Sequence, residues 1–225
     1  MKHRTLGKTG LKVSVVGFGG IPIQRLSEEE AVRVVRRCLD LGVTFLDTAH
    51  GYTTSEERIG KVAETYRVIR NALRYQLSNL YDFDPTRHAV PEERLTGLDR
   101  WILAEFAKLE TEVLTAYERY EFHVVYQKLA QFVAVELSAI YHDVIKDRLY
   151  TDPPDSPRRR STQTALHRLV TGLCAMLSPI LAFTADEAWE FVPGRPTASV
   201  HETRWQPRPF ALREEERACW QHLFE

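Results

Sequence analysis

The apolar positions change period once along the chain. Up to about residue 61 they come in short runs broken by glycine. Arg4-Thr5-Leu6-Gly7-Lys8-Thr9-Gly10-Leu11-Lys12-Val13-Ser14 predicts two short strands around a Lys-Thr-Gly turn, because glycine supplies the positive φ that a tight reversal needs. Val15-Val16-Gly17-Phe18-Gly19-Gly20 is a brief apolar run closed by glycines. Ser27 followed by Glu28-Glu29-Glu30 has the cap and early acids of a helix, which runs to about Leu41 and is stopped by Gly42. Val43-Thr44-Phe45-Leu46-Asp47 then predicts a second buried strand. Strand, helix, strand in that order predicts a parallel pair with a crossover.

From Val62 onward the spacing is that of helices. Val62, Tyr66, Ile69, Leu73, Leu77 and Leu80 line one face of a first helix, and Arg67, Arg70, Asn71, Arg74 and Ser78 lie on the opposite arc. Leu98, Trp101, Ile102, Phe106, Leu109, Val113 and Tyr117 predict a second. A third runs from near Phe122 through Leu129, Leu137 and Val144 toward Leu149. TDPPDSPRRRS is expected to be a turn and linker, since paired prolines block helix propagation. A fourth helix follows from about Ser161 to Leu177, and Pro179 ends or kinks it. Thr184-Ala185-Asp186-Glu187 reads as a capping box for a short helix through Trp189, and a last short helix is expected over Glu214 to Phe224. The fold class is therefore mainly α: an antiparallel helical bundle over 62–225, preceded by a β-hairpin and a strand–helix–strand fragment over 1–61.

Charge adds little to this division. The 225 residues carry 30 Lys and Arg against 31 Asp and Glu, with 10 basic and 7 acidic residues up to Ala63 and 20 and 24 beyond it. Neither segment has a dominant field, so a polyanion site has to be a local patch. Cys38, Cys174 and Cys219 are scattered without a C-x-x-C pair, which gives neither a disulfide framework nor a zinc site. The N-terminus lacks a signal-peptide core and no stretch has the length of a membrane span, so a cytoplasmic setting without membrane contact is expected.

The local patch is the arginine arc. Three cations within two turns, with only Glu64 near them, repel one another unless an anion or a distant carboxylate answers them. Arg67, Arg70, Asn71 and Arg74 are a candidate surface for phosphates and unstacked bases; a merely solvated face is the alternative. The RRRS run at 158–161 is a second candidate contact or a solvated loop. Glu136 falls on an otherwise apolar face, where a buried carboxylate demands a partner. His88, His123, His142, His167, His201 and His222 are dispersed, with no H-x-x-x-H pair, and no serine or cysteine sits in a nucleophile motif. Gly17-Phe18-Gly19-Gly20 lacks the G-x-G-x-x-G spacing of a phosphate loop.

LGKTGLKVSVVGFGG followed by GVTFLDTAHGYTTSEERIG resembles the N-terminus of the aldo-keto reductases, NADPH-dependent enzymes on an eight-stranded α/β barrel. That resemblance implies that Asp47 and Tyr52 match two members of the family's catalytic tetrad, tyrosine being the proton donor; the glycine that usually follows the tyrosine is Thr53 here. Two strands do not close such a barrel. Asp47 and Tyr52 are therefore expected to be remnants, since a tyrosine needs neighbours to act as an acid at neutral pH.

YRVIRNALRYQLSNLYDFDP, LDRWILAEF, AYERYEFHVVYQKL, LSAIYHDVIKDRLYTDPPDSPRRRSTQTAL and SPILAFTADEAWEF, in that order, closely resemble the anticodon-binding helical domain of bacterial-type isoleucine-tRNA ligases. This resemblance implies a bundle that grips the anticodon stem and loop of isoleucine tRNA. It places Arg67, Arg70, Asn71 and Arg74 on the RNA-facing helix, with Trp101, Glu121, Phe122 and His123 mainly structural. The H-I-G-H and K-M-S-K-S elements of the ATP site and a cysteine-rich zinc module are not in these residues. ATP and zinc are thus expected only in the full-length synthetase and NADPH only in a full reductase, with no cofactor here. The two segments join between about Ile59 and Ala63, which implies a gene fusion by rearrangement or a misassembled gene, with the bundle truncated at its C-terminal end. Three readings stay open: a tRNA-binding domain without aminoacylation of its own, an NADPH-dependent oxidoreductase fragment, and an inert helical fusion product.

Overall fold

A computed structural model describes residues 1–49 and 54–224, the side chains of residues 56–58, 61, 62 and 224 apart. The chain separates into two compact units, Met1–Arg67 and Val68–Glu225.

In the first unit β1 (His3–Thr5) and β2 (Lys12–Ser14) form the expected antiparallel hairpin, His3 opposite Ser14. Its turn needs positive φ at Gly7 (53°) and Gly10 (77°). β3 (Gly17–Gly19) and β4 (Phe45–Asp47) are the expected parallel pair, with Phe18 opposite Leu46, but β4 is not the buried strand expected: Phe45 and Asp47 are exposed and Leu46 is half-buried, because little packs over the pair. The crossover carries a 3-10 turn, Ile21–Arg25, and then α1 (Glu28–Asp40). Ser27 caps α1 reciprocally: its hydroxyl accepts from the Glu30 N–H at 3.3 Å, and its own N–H donates to Glu30 Oε2 at 3.0 Å. Gly42, at φ 80°, ends it. Exchanged bonds between Ser14 and Thr44 tie the hairpin to the chain entering β4. The core is small: Ile23, Ala31 and Val35, with Phe18, Leu26, Val32, Leu39 and Ile59 half-buried around it.

The second unit is helical. α2 (Ser55–Ser78) carries the boundary between the units. A single turn, α3 (Pro85–His88), leads to α4 (Gly97–Glu118). α4 turns back through Tyr120, a non-glycine residue at φ 58°, into α5 (Phe122–Phe132). α5 continues as a π-helical segment, Val133–Tyr141, and then as two short pieces, α6 (His142–Val144) and α7 (Lys146–Tyr150). The third predicted helix is thus present over its predicted length but changes geometry midway. α8 (Pro157–Leu177), α9 (Ala182–Trp189) and α10 (Glu214–Phe224) complete the order. α4 packs against α5 and α8, and α8 against α9, around one continuous apolar core. Phe106, Leu129, Leu137, Leu166 and Trp189 are among its fully buried side chains. α4 and α8 approach so closely that a Cβ on Gly172 would stand 2.7 Å from the Phe106 ring.

Three expectations need correction. The PRRRS segment is no linker: Pro157 takes the first position of α8, where its missing N–H costs nothing, so the arginines sit in the first turn. The Thr184 capping box is not formed, because α9 begins three residues earlier, after Leu181. Asp186 instead caps the 3-10 turn Val200–Glu202, accepting from the Ser199 hydroxyl at 2.6 Å and the Val200 N–H at 3.0 Å. Along α2 the buried arc is Ile69, Ala72, Leu73 and Gln76, continued by Asn79 and Leu80 in the turn beyond it, and Leu77 is only half-buried. The Val62 side chain lies outside those described.

Beneath the core lies a polar hub. Asp99 is fully buried and accepts from the Tyr141 hydroxyl (2.6 Å), Ser161 (2.6 Å), Thr96 (2.7 Å) and Thr162 (3.1 Å), with Arg148 Nη1 at 3.4 Å. A carboxylate removed from water needs that many donors, and here they come from Thr96 just before α4, the π-helical segment, α7 and α8.

Candidate nucleic-acid interface

The arginine arc of α2 faces solvent as its spacing predicts. Arg67 is paired with Glu64, one turn away, within the first unit. In the second unit Arg70, Asn71 and Arg74 are exposed. Arg70 Nη2 lies 3.5 Å from Glu187 Oε1 of α9, both side chains more than half exposed. An ion pair that long and that wet contributes little to stability. Arg74 and Asn71 have no side-chain partner among the described residues. Mutual repulsion in the arc is therefore answered by Glu64 and, distantly, by Glu187, which leaves Arg74 and most of Arg70 open to an anion.

These arginines open onto a groove of about 550 Å³ between α2 and α9. One wall continues α2's spacing from Arg70 and Arg74 through Leu77 to Tyr81; the other is Thr184, Glu187, Ala188 and Phe191, a single face of α9 and its extension. Tyr81 is 80% exposed and Phe191 67%, although large aromatic rings are ordinarily covered. A groove with cations at one end, two bare aromatic faces at the other and one carboxylate on its wall offers phosphate contact and stacking together.

The support beneath the groove is rigid. Asp82, next to Tyr81, receives a two-pronged bond from Arg159 at 2.6 and 3.0 Å and a third from Gln163 at 2.7 Å. Burial pushes the Asp82 carboxyl upward, but hydrogen bonds from Arg159 and Gln163 and the charges of Arg159 and Arg160 more than offset it, holding its pKa below the ordinary range. The Arg159 guanidinium also lies 6.0 Å from the Tyr81 ring centre. On the opposite wall His167 Nε2 is 2.9 Å from the Pro193 carbonyl, and Trp189 Nε1 donates to the Thr197 carbonyl at 3.1 Å. Burial lowers the His167 pKa, more strongly than the Pro193 carbonyl raises it.

The other sequence candidates separate clearly. Arg159 and Arg160 are buried by Asp82 and Asp155, and Arg158 is paired with Asp152, so the arginine run serves the protein itself. Glu136 is half-buried with Oε2 shielded from solvent, and no hydrogen-bonding partner for that oxygen is found among the described residues. Trp101 is buried, its ring centre 5.5 Å from that of Trp220. Phe122 and His123 are exposed at the α4–α5 turn, Phe122 making edge contacts with Tyr117 and Tyr120. Asp47 ends β4 with an exposed side chain, and its carbonyl accepts from the Gly20 N–H at 2.7 Å. Tyr52 lies outside the described residues. Sequence reasoning passed over Tyr81, Phe191 and Glu187. The available signal was Tyr81 recurring at helical spacing after Arg70, Arg74 and Leu77.

A family model for the anticodon-binding domain of tRNA ligase matches residues 99–225. The chain belongs to that family. A second model, the aldo/keto reductase family, matches residues 15–76. Among curated proteins, isoleucine-tRNA ligases of Nitrosococcus oceani and Symbiobacterium thermophilum are 44% identical over 186 and 190 residues, 83% of this chain and 20% of each relative. That of Legionella pneumophila is 39% identical over 201 residues, 89% of this chain and 21% of the relative. The chain thus spans about a fifth of the length of the relatives it matches. Aligned stretches this long necessarily take in residues 67–74, which the anticodon-domain match leaves out, and they also reach back before residue 62. Among the described residues no helix is long and apolar enough to cross a membrane.

Proposed function

We propose that the helical unit binds the anticodon stem and loop of a transfer RNA, isoleucine tRNA being the one named by the relatives it resembles. The observation that carries this reading is the groove beside α2: Arg70 and Arg74 are exposed at one end, and the uncovered rings of Tyr81 and Phe191 lie at the other. Guanidinium groups bond phosphate oxygens in pairs, and bare rings give unstacked loop bases a surface. Asn71 adds a side-chain amide on the same arc. The reading calls for no metal and no nucleotide cofactor, and for a cytoplasmic setting, where tRNA is met.

Within the same proposal these residues do not charge tRNA by themselves, because the ATP-activating signatures are not among them, and the N-terminal unit binds no NADPH. A fusion origin for the two segments is part of the reading, and DNA reads continuous across the codons for residues 50–75 are its expected mark.

The test is fluorescence anisotropy of the whole chain with a labelled isoleucine anticodon stem-loop, titrated at several salt concentrations. Binding is expected to weaken steeply with salt. Arg70→Ala with Arg74→Ala removes two phosphate-facing cations, lowering affinity at least tenfold and flattening the log–log salt slope by about 1.5. No binding at about 50 mM salt, where such contacts are strongest, overturns the reading.

A further inference from the structure

We infer that Glu187 makes the groove selective for an unstacked base with an exocyclic amino group, and that it rejects uracil. This deepens the RNA-binding reading and rests on it. Glu187 sits on the α9 wall between the arginines and Phe191, and its one partner among the described residues is Arg70, at 3.5 Å. For a site that takes up phosphates, a carboxylate there is a cost, since it repels the backbone and offsets part of the charge of one of the two cations. Its chemistry suits something else. A carboxylate only accepts hydrogen bonds. A base stacked along Tyr81 or Phe191 presents its edge toward the walls, and there the carboxylate meets the amino group of cytosine, adenine or guanine as a ready donor. Uracil offers a single N3–H flanked by two carbonyl oxygens, both of which face the carboxylate's charge. Arg70, held near Glu187, brings a phosphate beside the same base and leaves the phosphate contact indifferent to sequence.

Cytosine and uracil share ring size and differ at the group the carboxylate reads, and because oligo(C) stacks on itself more than oligo(U) does, the cost of unstacking works against the expected order rather than for it. Anisotropy titrations of labelled oligo(C) and oligo(U) of equal length, at about 50 mM salt, are expected to give roughly three- to tenfold tighter binding of oligo(C). Glu187→Gln is expected to bring the two within about twofold, because an amide can both donate and accept. Removing the charge also frees Arg70 and tightens both strands together, but that electrostatic gain leaves the C-to-U ratio unchanged, so the ratio is the discriminating readout. The side chain is more than half exposed, and circular dichroism of the variant should match the parent. Equal binding of the two strands, or a preference that survives Glu187→Gln, overturns the inference while the RNA reading stands. Failure of both strands and of the anticodon stem-loop to bind overturns the two together.

Discussion

The two units are built with the same local devices and differ in what those devices enclose. In Met1–Arg67 a reciprocal helix cap, three positive-φ glycines and a paired register define the elements well, yet the fully buried cluster is three side chains. A parallel strand pair ordinarily has both faces covered. Here Val15, Val16, Ile21 and Phe45 remain exposed around it. In Val68–Glu225 the caps are poorer: α4, α5, α8 and α9 have no side-chain cap bond, and the α4–α5 turn puts a tyrosine in the left-handed region. That unit has instead a continuous apolar core with a satisfied carboxylate inside it. Well-formed elements and a well-formed core are thus separate achievements, and stability follows the second.

The comparison can be broken most forcefully at the hub. Asp99→Leu takes their shared acceptor from the hydroxyls of Tyr141, Ser161, Thr96 and Thr162 and the counter-charge from Arg148, and is expected to cost the helical unit about 3–5 kcal/mol. All four tryptophans, Trp101, Trp189, Trp205 and Trp220, belong to that unit, so urea unfolding followed by tryptophan fluorescence reads it alone. A midpoint that barely moves would deny the hub its role.

Acid sharpens the contrast next. His142 is buried against the Tyr75 ring at 4.3 Å with Nε2 unpaired, and burial, with a smaller push from Lys146, drops its pKa from 6.5 to about 3. Between those values the unfolded imidazole binds a proton and the folded one does not, so stability is lost as the pH falls. The helical unit should weaken by about 1 kcal/mol per pH unit from 6.5 to 5, measured by the same fluorescence, and His142→Phe should remove most of that slope.

The smallest expected effect on the helical unit is none. Val35→Ala thins a three-residue core and should destabilise the N-terminal unit by about 2 kcal/mol while leaving the tryptophan transition in place. Thiol labelling gives the local reading. Cys38 lies half-buried in α1, Cys174 is buried in α8 and Cys219 is exposed. Faster labelling of Cys38 with Cys174 unchanged is the expected pattern; acceleration of both would show that the units stand or fall together.

What the sequence made legible follows the same division. The hairpin, the crossover helix with its Ser27 cap, the α4 stripe and the last helix were all readable, because spacing and caps act within a few residues. The exposure of Arg70, Asn71 and Arg74 was readable for the same reason. The role of Arg159 was not, because its partner Asp82 is 77 positions away. Nor was the burial of Gln76, whose amide donates to the Ala72 carbonyl within its own helix and whose place is set by neighbours elsewhere in the bundle. The groove was half legible: its α2 wall lay in a periodic pattern, whereas Phe191 and Glu187 join it only after α9 folds back along α2.

The π-helical stretch Val133–Tyr141 has a consequence for insertions and deletions. A wide turn holds one residue more than an α-turn, so that stretch is a stored spacer in the chain. Deleting a single exposed residue there, Val135 for instance, would let ordinary helix run straight through while the chain beyond keeps roughly its facing, whereas the same deletion in α4 would swing everything after it by about 100°. Arg148 would then stay beside Asp99, so homologous chains one residue shorter here are expected to keep both members of that pair.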